Sequence, residues 1–485
     1  MLLTKEIGSV KKTKMLFTKK QLVGILIPLI LEQLLSVAVG AVDTVMVAYA
    51  GEAAVSGVSL VNALDVFLVI FFTAFVSGGA VIVAHALGRK DEADAQIAAK
   101  QLLYSSVIIA VALAAVTILF RKPILSLFFG NAEPDVMRSA ESYFFYLALS
   151  FPMLAACSSV SAMFRVAGNT RIALVVSLIT NVINICGNAT FIIALKMGAS
   201  GAALGTLIAR FAASVIMIAL VANKKSVFHI ERILNYRPNF SVVKRILSIG
   251  IPNGVENGMF QLGRLLTQTL ISSMGTAVIA ANAVALTVCN FQYVVGNAYS
   301  SAMITVVGQS VGAGEEEQAK YYSRLLTVLN YISLGIVIVL TLLLLSPIVF
   351  AYSLSPESAH VTKMLITYHC FCAIIMWPIG FMLPSAFRAA GDVRYPMVIS
   401  IISMWVFRIA GGYMLALETV SVLGLFELPG LGMGIMGVWI AMTVDWLFRA
   451  TLFAIRYVSG RWLGKLRGGI FQNKNIKDKK IQKNY

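Results

Sequence analysis

The chain has 485 residues, of which 59% are hydrophobic and only 13% charged, with 39 Lys and Arg against 22 Asp and Glu. So little polar surface cannot cover a soluble protein of this size, and the long, continuous, non-alternating apolar runs exclude an outer-membrane barrel. An all-α integral membrane protein remains. The formal charge of +17 lies in loops and tails rather than in a basic domain, so the partner it implies is the lipid bilayer and not nucleic acid.

A lysine-rich tail, 1–20, precedes an apolar run that is too long for a signal peptide and lacks a small-residue cleavage site, so the first helix is retained. Segmenting by runs of about 20 residues predicts twelve spans: 21–50, 55–86, 100–120, 139–160, 172–195, 199–222, 246–273, 278–310, 323–350, 361–386, 397–418 and 432–456. The polar connector 223–245 separates 21–222 from 246–456 and is expected to carry a short surface helix. A basic tail, 457–485, closes the chain. Thirty of the 39 Lys and Arg fall on the side that holds both tails and the connector. The positive-inside bias therefore predicts a multi-pass protein of the cell (inner) membrane with both termini in the cytoplasm.

The second half repeats the first. An offset of 224 places Pro28 on Pro252, Glu32 on Glu256, Gly51 on Gly275 and Gly88 on Gly312, and an offset of 223 places "FRVAGNTR" (164–171) on "FRAAGDVR" (387–394). After an insertion around 419–431, "MGASGAALG" matches "MGIMGVWIA". Pro, Glu, Gly and Arg in register mark a six-plus-six duplication. Six is even, so the halves share an orientation and are related by a pseudo-two-fold axis along the membrane normal.

Ionisable residues inside spans are costly and are candidates for function. Glu32 falls about 16 Å and Asp43 about 33 Å along the first helix at 1.5 Å per residue, on one face. Glu32 and Glu256 recur in both halves, so they read either as scaffold carboxylates or as coupling groups. Asp43 has Thr267 as its repeat partner, and a carboxylate present in one half only is harder to assign to the scaffold. In a poorly hydrated chamber it can exchange a proton near neutral pH, or side-chain oxygens can gather around a hard cation such as Na⁺. The fifth span offers Asn181, Asn184 and Asn188, with Asn184 and Asn188 on one face, and the sixth offers Thr206. The alternative is interhelical hydrogen bonding. Asp65, Asp445, Arg264 and Arg449 are further charges within spans, and Arg408 with Asp445 reads as a structural pair. The five cysteines read as small buried hydrophobes. Met46, Met259, Met376 and Met404 read as packing or as an adaptable chamber lining. No nucleophile elbow, phosphate loop or paired-His metal motif is present, so neither an enzyme nor a cofactor is expected.

With Asp43 in "VDTVMVAYAG", the duplicated "FRxAG" loops and the asparagine-bearing fifth span, the chain resembles the prokaryotic multidrug and toxic compound extrusion (MATE) transporters from about residue 20 to 456. The resemblance implies a V-shaped pair of six-helix bundles, acting as a monomer by alternating access, that exports organic cations or drugs by antiport with H⁺ or Na⁺. By motif, Asp43 corresponds to the family's first-helix acid, and Asn184 and Thr206 to its partners in the N-lobe cation site. Asn188 stands where many relatives carry a second aspartate, so this site has one formal charge fewer. Glu256 resembles the helix 7 acid of a branch with a C-lobe cation site, but "CAIIMWPIGFMLPSAFR" (372–388) lacks the second acid that branch needs. Two other transport readings compete. A major-facilitator fold would need a basic loop after the second span, where "GRKDEADAQ" is half acidic. A flippase for a lipid-linked oligosaccharide would need a strongly cationic cavity, yet only four arginines lie within spans.

Overall fold

The computed structural model of the chain describes residues 15–464, apart from 131, 232, 234 and 423–425. The predicted tails 1–20 and 457–485 therefore lie largely outside the described residues. Every one of the twelve predicted spans falls on helix. The first half comprises α1 (Lys19–Ala48), α2 (Glu52–Gly88), α3 (Glu92–Phe129), α4 (Pro134–Leu149), α5 (Phe151–Val166), α6 (Thr170–Asn188) and α7 (Gly198–Ala222). The second half comprises α8 (Phe240–Ser272), α9 (Thr276–Gly312), α10 (Glu316–Leu343), α11 (Leu345–Ala351), α12 (Pro356–Trp377), α13 (Pro384–Ala389), α14 (Arg394–Ser403), α15 (Gly411–Ala416) and α16 (Gly434–Val458).

Local chemistry explains the boundaries. Thr18 opens α1 with a capping box: its hydroxyl accepts from the Gln21 amide at 3.3 Å while Gln21 Oε1 accepts from the Thr18 amide at 2.8 Å. Gly51 and Gly275, 224 residues apart, both cap the following helix at φ 92° and 94°, which an L side chain resists. Gly168 and Gly391, the glycines of the two "FRxAG" loops, match at φ 84° and 81°. The duplication read from the letters is thus repeated in backbone conformation.

Four features differ from the sequence reading. The fourth span is two helices, α4 and α5, bent by 44° at Ser150, because Pro152 has no N–H to continue the ladder. Three helical runs pass through π-helical turns, at Ala189–Ala194 after α6, Pro378–Met382 after α12 and Met404–Ala410 after α14. The insertion near 419–431 forms an antiparallel hairpin, Thr419–Val422 with Phe426–Pro429. The connector carries no separate surface helix: its described residues before 240 are not helical, and 240–245 are the first turns of α8. The irregular part is a strap on α3, where Tyr104 and Tyr236 stack at 4.2 Å and Gln101 Nε2 donates to Arg237 O at 2.7 Å.

Among the described residues ten helices are long and apolar enough to cross a membrane, or eleven if the bent pair is one span. The 33-residue α8 is long enough but polar, carrying Asn253, Glu256 and Asn257. Contacts divide the chain into two compact units, Phe17–Gly254 and the unit from Val255 on. The division runs through α8 because its first half packs on α2: a Cβ on Gly78 would lie 2.5 Å from Gly250 N. In the first unit, Val61, Phe72, Phe144, Phe151 and Ile192 join one buried cluster. In the second, Tyr293 stacks on Trp377 at 5.1 Å, a packing that Gly296 permits, since a Cβ there would sit 1.9 Å from the Trp377 ring. His369 is buried, with Tyr293 Oη on its Nε2. Of the five cysteines, all free, only Cys289 and Cys370 are buried, while Cys186 is exposed. Met404 is packing: its Sδ fills the space left by Gly263.

Candidate functional site

In the first unit, α1, α6 and α7 bring together the polar residues singled out in sequence. Asn184 and Asn188 lie one turn apart on α6, just before its backbone widens into the π turn. Asn188 Nδ2 donates to Asp43 Oδ1 at 3.0 Å and to Asn184 Oδ1 at 3.3 Å. Asn184 Nδ2 donates to Thr206 Oγ1 at 3.3 Å, and Thr206 Oγ1 donates to Ala202 O at 3.0 Å. Asn188 is thus the branch point, donating one way to the carboxylate and the other way into a chain that ends on the Ala202 carbonyl. Gly205 makes room for Asn188, because a Cβ there would lie 2.4 Å from Asn188 Oδ1. That oxygen is buried and has no hydrogen-bond partner.

Asp43, Asn188 and Thr206 line a cavity of about 270 Å³, and Asp65, Tyr143 and Arg210 line it too. Asn184 stands behind Asn188, buried. Arg210 Nη2 lies 3.5 Å from Asp65 Oδ2, and its Nη1 donates to Ser150 Oγ at 2.8 Å, at the bend between α4 and α5. Tyr143 Oη donates to Asn62 Oδ1 at 3.1 Å. The hydrogen-bonded neighbour of Asp43 is a neutral amide, Asn188, whereas Asp65 faces a guanidinium.

Glu32 does not join this site, although it shares α1 with Asp43. It pairs with Arg165 of α5. In the second unit Glu256 is held in the same way, with Arg388 Nη2 at 2.9 Å from both oxygens and Ser400 Oγ donating to Oε1 at 2.9 Å. Both Glu256 oxygens are engaged. Arg165 and Arg388 are the "FR" arginines of the repeated loops, which the sequence reading counted only as cytoplasmic charge. Their offset of 223 beside the 224 of the two glutamates was the signal that would have paired them.

Asp445 is fully buried between two arginines, with Arg408 at 2.8 Å and Arg449 at 2.7 Å, and Ser403 Oγ donates to it at 2.5 Å. The expected Arg408–Asp445 pair is present, with Arg449 as a second partner. The π turn Met404–Ala410 carries Arg408. Phe260 lies under both guanidiniums, at 5.1 and 5.4 Å. Arg264 is exposed and outside this cluster.

Comparison with known proteins bears on the whole chain. A "Probable multidrug resistance protein NorM" of Thermotoga maritima is 26% identical over 455 residues, covering 92% of this chain and 93% of that protein. The "Uncharacterized transporter YisQ" of Bacillus subtilis is 25% identical, covering 90% and 94%. Among solved structures, a MATE protein in a bent conformation superimposes with a TM-score of 0.81 at 17% identity, over 93% of this chain and 96% of that one. An outward-facing multidrug resistance MATE transporter gives 0.81 at 18% identity, over 93% and 97%. The MatE family model matches twice, at residues 28–190 and 252–414, and the two stretches stand at the same offset that lays Glu32 on Glu256. With each half of its duplicated, multi-pass helical fold matched separately, the chain belongs to the MATE family of membrane transporters.

Proposed function

We propose that the protein is a secondary active multidrug efflux transporter that exports organic cations or drugs in exchange for H⁺ or Na⁺ by alternating access, as a monomer with both termini in the cytoplasm. The observation that carries this reading is Asp43, a carboxylate hydrogen-bonded by the neutral amide of Asn188, at the wall of a cavity in a membrane-spanning unit. A carboxylate so placed takes up a cation of some kind, whether the coupling ion or a charged substrate. Asn188 orients it, Asn184 holds Asn188, and Thr206 holds Asn184. Competition between ion and substrate for one negative site, with the two favouring different conformational states, couples inward ion flow to outward substrate flow. The names of relatives as multidrug resistance proteins support the substrate class.

The arginines give the flippase alternative no support. Arg408 and Arg449 are tied to Asp445, and Arg210 faces Asp65, so three of the four arginines within spans are already matched by carboxylates. Glu32 and Glu256 act as structural carboxylates in this reading. Dye efflux from inverted vesicles, driven separately by a pH gradient and by a Na⁺ gradient, tests it. One of the two gradients should drive transport in the wild type and fail to do so in Asp43→Asn; gradient-driven transport by Asp43→Asn at the wild-type rate would refute it.

A further inference from the structure

The charged side chains that line the first unit's cavity are Asp43, Asp65 and Arg210. Two carboxylates and one guanidinium sum to a single negative charge, and they are not equivalent. The hydrogen bonds of Asp43 come from a neutral amide, so whatever neutralises it must come from outside the chain. Asp65 has its counter-charge built in, since Arg210 is tethered to α7 and anchored at Ser150, at the bend that Pro152 forces between α4 and α5. A guanidinium cannot lose its proton in a protein, so the charge it supplies is permanent. The contact is loose: 3.5 Å at one Asp65 oxygen, while the other is buried without a hydrogen-bond partner. Asp65 is thus a carboxylate that would take up an ion if Arg210 were gone.

We propose that Arg210 acts as a tethered cation on Asp65 and so limits the cavity to one exchangeable ion per transport cycle, held at Asp43. This deepens the proposed function and rests on Asp43 being the exchanging carboxylate. Arg210 and Asp65 are specificity-determining residues here. They set how many ions are exchanged rather than carrying out the exchange.

The test is thermodynamic. Ethidium accumulation at steady state is measured in proteoliposomes at clamped zero membrane potential, over a series of imposed ratios of the driving ion. One ion per substrate changes the accumulation ratio about tenfold for each tenfold step in ion ratio, and two ions about a hundredfold. The wild type should follow the first slope and Arg210→Met should steepen toward the second. The double variant Asp65→Asn/Arg210→Met should return to the first. Because the end point does not depend on how many transporters are folded, a merely structural role for Arg210 leaves the slope unmoved. A wild-type slope in Arg210→Met, or a steep slope that persists in the double variant, overturns the proposal.

If Arg210→Met does not reach the membrane, Asp65→Asn alone decides. It leaves an unneutralised guanidinium in the cavity that Asp43 lines, so the slope should stay at the wild-type value while the ion concentration for half-maximal rate rises several-fold. An unchanged half-saturating concentration overturns the proposal. Asp43→Asn is measured in parallel. Loss of ion dependence there upholds Asp43 as the exchanging group, whereas a retained wild-type slope refutes that assignment independently of the Arg210 arm.

Discussion

Arg388 Nη2 lies 2.9 Å from both oxygens of Glu256, and the equivalent arginine of the other half, Arg165, holds Glu32. Each pair ties the first long helix of a half to the "FRxAG" segment that follows its fourth span. A pair present in both halves serves what both halves share, which is the packing of the six-helix unit. Removing one partner leaves the other as an uncompensated charge in a low-dielectric interior.

Arg388→Ala and Glu256→Ala should therefore destabilise the protein by roughly 3–5 kcal/mol. Asp43→Asn should cost far less, because Asp43 faces a cavity and its amide partner Asn188 still finds an acceptor. Thermal unfolding of detergent-solubilised protein, followed by the monodisperse fraction on size exclusion, checks this. Equal losses for Glu256→Ala and Asp43→Asn would contradict the division between scaffold and site.

Asp445 lies between two guanidiniums, so its loss should be worse than the loss of either arginine alone. Asp445→Asn leaves Arg408 and Arg449 facing each other without a counter-charge, whereas Arg449→Met leaves an intact Arg408–Asp445 pair. The expected order of membrane expression level is wild type, then Arg449→Met, then Asp445→Asn. The reverse order of the two variants would contradict the reading of Asp445 as the shared counter-charge of both arginines.

The polar network at Asp43 was legible in the sequence because Asp43, Asn184, Asn188 and Thr206 interrupt apolar runs, and helical spacing put the two asparagines on one face. The pairs made across helices were not. Arg165 and Arg388 read as loop charges because the apolar segments end before them, yet α5 extends to Val166 and α13 to Ala389. That one extra turn brings their heads back to α1 and α8. Arg210 and Asp65 were each visible as charges within a span, but nothing in spacing along the chain says that α7 and α2 present them to one cavity. The bend at Ser150 had a sequence signal in Pro152, masked by the unbroken hydrophobicity around it.

Asn188→Ala removes the amide that donates to Asp43 Oδ1. A hydrogen bond to a charged group contributes about 1.5–3 kcal/mol, so the ion concentration for half-maximal dye efflux should shift by about ten- to a hundredfold. Asn188→Asp should act differently, since it places a second carboxylate beside the first and raises the demand for a cation. The ion-dependent efflux curves of the two variants should therefore move apart, and coincident curves would mean that Asn188 acts only through packing.

Gly205→Ala reaches the same bond without altering any polar group. The new Cβ would stand 2.4 Å from Asn188 Oδ1 and 3.1 Å from Asn188 N. The first contact is closer than any real pair tolerates, so the amide must turn. The second is tight but leaves α6 in place if α7 gives by a few tenths of an ångström. The variant should thus fold, with a loss of stability of about 1–3 kcal/mol from overpacking, while its ion dependence shifts in the same direction as that of Asn188→Ala. In the double variant Gly205→Ala/Asn188→Ala the clash with the amide oxygen is gone, so the Gly205→Ala change should add little to the ion dependence of Asn188→Ala. Parallel measurement of unfolding temperature and half-saturating ion concentration separates the two effects. If Gly205→Ala lowers stability but leaves ion dependence at the wild-type value, the orientation of Asn188 toward Asp43 does not set the affinity of the site.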